Sequence, residues 1–168
     1  MVQTMKYNYE PGEDALFLVG SAYKNIKMVY QIEHKGEIIS TKFINLKNEQ
    51  KLIKIPVEEK HRGNFSVHFV FIKDNRIYNS SHVVYVPYSN KRLDIEFMTF
   101  RDKLYPGQKE EWKIKIKGPK GDKVAAEMLA TLYDASLDQF KANYWNFNIF
   151  SSYYTSCPWS TGTFTSSY

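Results

Sequence analysis

Between residues 64 and 73 the chain places Phe65, Val67, Phe69 and Phe71 at every second position. Successive side chains of an extended strand point to opposite faces, so a period of two fits a half-buried strand and does not fit a helix. The same period returns elsewhere. Met28, Tyr30 and Ile32 alternate with Val29, Gln31 and Glu33, and Trp112, Ile114 and Ile116 alternate with Lys113, Lys115 and Lys117. One covered face and one wet face per strand is the mark of antiparallel sheet.

Turn chemistry divides the chain into short strands. Lys35-Gly36 and Asp74-Asn75 read as tight hairpin turns, and Pro11-Gly12 and Pro106-Gly107 as turns in which proline presets one corner and glycine supplies the positive φ of the next. Strands are expected over 5–9, 15–22, 27–34, 37–45, 51–57, 64–73 and 76–86, with Ile39, Thr41 and Phe43 in register and Pro56 confining its strand to an edge or an end. Seven short strands with no convincing helix describe an all-β sandwich of the immunoglobulin or fibronectin-III type. The polar stretch 87–92 then reads as a linker. The two Pro-Gly turns stand about one sandwich apart, roughly 100 residues, which suggests two such domains in tandem. The first spans 1–90 and the second, only partly present, spans 91–168. In the second, strands are expected at 93–97 and 112–117, then a Gly118-to-Asp122 turn, a strand over 125–133, and a helical turn over 135–140.

From Lys141 the composition changes. Tyr144, Trp145, Phe147, Phe150, Tyr153, Tyr154, Trp159 and Phe164 stand among serines and threonines with almost no charge. Such a stretch reads as a strand-rich continuation or an exposed loop, and large rings favour burial. The close at Ser166-Ser167-Tyr168 suggests a piece of a longer protein.

Composition narrows the function classes. At 43% apolar and 16% aromatic residues the chain is globular rather than disordered. It contains no apolar run of membrane-spanning length, and residues 1–7 lack the apolar centre of a signal peptide. The net charge of +5 comes largely from lysines at alternating strand positions, where a solvated face explains them and no nucleic-acid recognition module accompanies them. His34, His61, His68 and His82 show no metal-ligand spacing and read as solvated or incidental, with His68 opposite the Phe65–Phe71 face. Asp14, Asp74, Asp102, Asp122, Asp134 and Asp138 fall in turns, where aspartate bonds its own backbone. No Ser, His and Asp set has the context of a nucleophile. Catalysis, a cofactor and a metal are therefore not expected. The single cysteine, Cys157, excludes an internal disulfide, and no basic neighbour marks it as reactive.

The second domain carries a resemblance. Tyr105-Pro106-Gly107, the Gly118-x-x-Gly121 hairpin, Val124-Ala125-Ala126-Glu127 and Tyr133-Asp134-Ala135-Ser136-Leu137 are together similar to macroglobulin-like domains of the bacterial alpha-2-macroglobulin family, nearest to the domain that bears the bait region. That family's strand ends Val-Val-Asp-x-x-Leu. Here Leu132-Tyr133 replace the valines, while Asp134 and Leu137 keep their places. The resemblance is specific over 93–140 and generic over the first domain.

It implies non-catalytic structural domains of a protease-trapping protein outside the cytoplasm, periplasmic or at the cell surface, with proteases and neighbouring domains of the same chain as partners. It also implies a protease-sensitive bait from about residue 139, including Lys141, Tyr144, Phe147, Tyr153 and Tyr154, with Pro11, Gly12, Pro106, Gly107 and Asp134 as turn and hairpin positions. The family's Cys-Gly-Glu-Gln thioester is absent, since Cys157 is followed by Pro158 and Trp159. The competing readings are a secreted sandwich that binds glycan or protein through exposed aromatics, Trp145 and Trp159 above all, and a plain spacer.

Overall fold

The computed structural model describes residues 1–119, 121, 126–144 and 146–160. Val124, Ala125, Asp122, Trp145, Phe164 and the closing Ser166-Ser167-Tyr168 lie outside them. The chain forms two compact units, one of Met1–Pro87 with the chain from Phe150 onward, the other of Tyr88–Ile149.

The first unit is a sandwich of seven antiparallel strands: β1 (Val2–Thr4), β2 (Asp14–Gly20), β3 (Ile26–His34), β4 (Glu37–Leu46), β5 (Gln50–Pro56), β6 (Phe65–Lys73) and β7 (Arg76–Val84). One sheet runs β1-β2-β5 and the other β4-β3-β6-β7. The alternating apolar sets meet between them. Ala15, Phe17 and Val19 of β2 face Met28 and Tyr30 of β3 and Phe65, Val67, Phe69 and Phe71 of β6 in a single buried cluster. The Phe17 and Phe69 rings lie 5.4 Å apart, and Tyr30 and Phe69 5.8 Å apart, within the range where tilted aromatic pairs attract. The β3–β4 and β6–β7 hairpins turn on Lys35 (φ 54°) with Gly36 (φ 81°) and on Asp74 (φ 49°) with Asn75 (φ 56°), the paired positive φ values that suit the twist of a two-residue hairpin.

Two strands depart from the sequence expectation. The run over 5–9 is not the first strand. Instead, Val2–Thr4 pairs with β2, after which the chain crosses to the other sheet, where Tyr9 N–H donates to the Tyr85 carbonyl and Tyr85 N–H to the Tyr7 carbonyl. Buried Tyr9 fixes that crossing, because its hydroxyl accepts the Leu16 N–H at 3.1 Å. In β4 the set Ile39, Thr41 and Phe43 faces solvent, and it is Leu46 that is buried, with Ile44 packed against the core. β4 is an edge strand, and Phe43 and Thr41 lie directly opposite Val29 and Gln31, which alternate with the buried Met28 and Tyr30 of β3, so they share the outer face of that sheet. Lys27 Nζ sits 4.9 Å above the exposed Phe43 ring.

The second unit pairs β8 (Asp94–Thr99) with β9 (Lys113–Lys117). Trp112 stands just before β9, its ring edge-on to Phe100 at 6.2 Å and its indole N–H without a partner among the described residues. The strand expected over 125–133 is not formed by the described residues 126–133, which are exposed even though Ala126, Met128, Ala130 and Leu132 alternate as a strand face would. A 3-10 turn does form at Ala135–Gln139.

Candidate functional site

β6 breaks the one-wet-face rule. Ser66, His68 and Val70 on its outer face are as buried as the phenylalanines on its inner face, and Glu33 on β3 beside it is 2% exposed. The cover comes from the far end of the chain. Residues 150–160 form no regular strand but lie as a strap across the outer face of β3, β6 and β7, fixed at successive points.

The strap begins where Tyr153 N–H donates to the Gly63 carbonyl at 2.6 Å. The Tyr153 ring lies edge-on to His34 at 5.6 Å, beneath Lys35 Nζ at 5.7 Å. Thr155 Oγ1 donates to Ser66 Oγ at 3.0 Å. At the centre Glu33 receives Ser156 N–H at 2.8 Å and Ser156 Oγ–H at 2.7 Å on Oε1, and Cys157 N–H at 3.2 Å on Oε2. Cys157 Sγ, half-buried, donates to the Gly36 carbonyl at 3.3 Å. At the far end Trp159 Nε1 donates to Gln31 Oε1 at 2.9 Å, and Asn79 Nδ2 donates to the Trp159 carbonyl at 2.8 Å.

Glu33 also receives the Nε2–H of His68 at 2.7 Å, while His68 Nδ1 shares a 2.8 Å hydrogen bond with Ser81 Oγ. Burial pushes the Glu33 carboxyl up, but the bonds from Ser156, His68 and Cys157 outweigh it and hold its pKa below the ordinary 4.5. An ionised carboxylate in a site this dry is stable only because donors surround it.

Ser81, His68 and Glu33 are thus linked in the order of a nucleophile, base and acid. The arrangement does not suit catalysis. Ser81 sits mid-strand rather than on a sharp turn, the His68 ring is 1% exposed, and three of the four described bonds to Glu33 come from the strap. The carboxylate serves as the strap's anchor. Solvated or incidental histidines are likewise not what the fold holds: His61 is 3% exposed, its Nδ1 accepting the Glu58 N–H at 3.0 Å. His34 Nδ1 donates to the Asn64 carbonyl at 3.1 Å, leaving Nε2 buried without a partner among the described residues. Among the described residues no group of three or more His, Cys, Asp or Glu side chains is placed to hold a metal ion.

The turn positions sit as follows. Gly12 has φ 97° and its N–H donates to the Val57 carbonyl at 2.8 Å, next to Pro11. Gly107 has φ 75°, following Pro106 in a turn closed by Gln108 N–H to the Tyr105 carbonyl at 3.0 Å. Asp134 caps the 3-10 turn by accepting the Ser136 N–H at 2.9 Å, and this bond lowers its pKa. Lys141, Tyr144 and Phe147 are exposed in the second unit. Tyr153 and Tyr154 are half-buried and exposed respectively, and both belong to the strap.

An all-β chain built on a sandwich, with no described helix long and apolar enough to cross a membrane, defines the class. The family model described as the alpha-2-macroglobulin bait region domain matches residues 1–138, and the chain belongs to that family. The match takes in the whole first sandwich as well as the stretch around Asp134, and stops before the strap. No curated protein matches the chain.

Proposed function

We propose that this chain supplies non-catalytic structural domains to a protease-trapping protein that works outside the cytoplasm, and that its bait lies over residues 139–149. Membership of a bait region domain family supports the class of protein. The observation that carries the bait assignment is the form of the chain between the 3-10 turn and the strap. Lys141, Tyr144, Phe147 and Ile149 are exposed and make no strand pairing. Proteases take substrate as locally extended chain, so segments with few buried contacts are cut first. Lys141 offers a basic cleavage site, and Tyr144 and Phe147 offer aromatic ones. In this reading a cut opens one of the two backbone links between the units, the link at Pro87–Tyr88 remaining, and allows neighbouring domains to move around the protease, an event driven by release of a tether.

Brief digestion with dilute trypsin or chymotrypsin, read by intact mass, tests the assignment. First cuts after Lys141, Tyr144 or Phe147, with the first sandwich left whole, are expected. First cuts in the 47–50 or 58–63 loops instead would remove the bait reading.

A further inference from the structure

We propose that the outer face of β3, β6 and β7 is a peptide-binding site whose ligand is the chain's own segment 150–160, and that the site keeps hold of this segment after the chain is cut between residues 139 and 149. The functional consequence rests on the bait reading above. The binding site itself does not.

The face is built to receive a peptide. A lone buried carboxylate is costly in a sheet's outer surface unless donors reach it, and of its described donors only His68 belongs to the sandwich body. The others are two consecutive backbone N–H groups and one hydroxyl of the strap, which between them reach both carboxylate oxygens. The strap fits that requirement by composition, since residues 150–160 carry no charged side chain and bring only neutral donors to a negative site. Pro158 has no N–H to present and restricts Cys157 before it to extended backbone, so less freedom is lost on docking. Tyr153 and Trp159 hold the two ends as aromatic anchors around the polar centre, a distribution found in tight peptide sites. None of these contacts depends on covalent connection through residues 139–149.

A cut in that stretch therefore breaks the backbone connection that leads into the strap and leaves the strap seated. Glu33 stays covered, and the fragment behind the cut remains part of the first unit.

The test uses the full chain with a recognition sequence for a site-specific protease inserted between Lys141 and Ala142, so that it does not depend on whether any natural protease attacks this stretch. After cutting, size-exclusion chromatography under native conditions should carry the fragment from residue 142 with the remainder. Cys157 is the sole cysteine, so its labelling rate by a thiol reagent reports docking directly, and it should change by no more than about twofold on cutting. Ser156→Pro removes both donors of that residue from an exposed strap position. In the cut chain it should release the fragment and raise Cys157 labelling by about tenfold or more, as expected for loss of charge-assisted hydrogen bonds. Glu33→Gln should act in the same direction from the sandwich side. Departure of the fragment from the unvaried cut chain would overturn the proposal, as would unchanged elution and labelling in both variants.

Discussion

Glu33 shows how one side chain couples distant stretches of sequence. Its carboxylate lies between His68 on the neighbouring strand and the Ser156 and Cys157 amides of the strap, so the anion is stabilised by groups far apart in the chain. Glu33→Gln keeps the shape but removes the charge and replaces one acceptor oxygen with a donor. It should destabilise the first unit by about 2 kcal/mol, the usual worth of a hydrogen bond to an ionised group plus the mismatch left behind. Urea unfolding measures this, and a midpoint equal to that of the parent would show that the carboxylate is not engaged. Gly12 makes a contrasting case. A Cβ there meets nothing within 4 Å, but φ is 97°, so Gly12→Ala should weaken the fold by about 1 kcal/mol through backbone strain alone.

At the scale of one element, β6 carries the core. Phe69 touches both Phe17 and Tyr30 and is 1% exposed, whereas Ile72 three residues on is 72% exposed. Phe69→Ala should therefore cost about 3–5 kcal/mol and Ile72→Ala less than about 0.5 kcal/mol, both read from denaturant midpoints; similar losses would mean that the strand is not seated as described.

The inner face of β6 was legible from the spacing of its phenylalanines, and both hairpin turns from their dipeptides. Its outer face was not. Ser66 and His68 are the residues a wet face would show, and what covers them lies more than eighty positions away, as in the Thr155–Ser66 bond. Periodicity reports only local alternation. A signal was nonetheless present in the strap, where aromatic rings without charge favour burial over a free loop. The face of β4 is not legible for a related reason, because Ile39 and Phe43 are apolar yet exposed on an edge strand, and alternation does not tell which of the two faces is covered. The local backbone bonding of Asp134 is legible in sequence, while the unpaired path of 126–133 is not, because Ala126, Met128, Ala130 and Leu132 alternate as a strand would.

At the scale of the first unit, three buried or half-buried groups should give the sandwich an acid-sensitive stability profile. Burial lowers the pKa of His61 below the ordinary 6.5, with Lys60 and His34 adding to it and Glu58 opposing, and burial likewise lowers that of His82, whose ring packs 5.9 Å from Phe17. Both are thus neutral in the folded chain at pH values where the unfolded chain already binds a proton. Since stability rises with pH wherever the unfolded state holds more protons, their contribution is complete above 6.5 and is lost as pH drops from there to their folded values. Glu33 acts lower on the scale with the same sign: its folded pKa lies below 4.5, so its contribution is present above that value and disappears as pH falls through the folded pKa. Unfolding free energy should accordingly decline in two stages, one below about pH 6.5 and one below about pH 4.5. His61→Asn, whose amide oxygen can accept the Glu58 N–H in place of Nδ1, should shrink the first stage and leave the second. The second should coincide with a rise in Cys157 labelling relative to that of the unfolded chain at the same pH, a ratio that cancels the loss of thiolate in acid, because protonating Glu33 removes the charge that holds the strap. Urea melts across pH 3 to 8, with labelling at each step, check both stages. A stability curve flat between pH 7 and 5, or acid unfolding without prior exposure of Cys157, would contradict the assigned roles of the histidines and of Glu33 respectively.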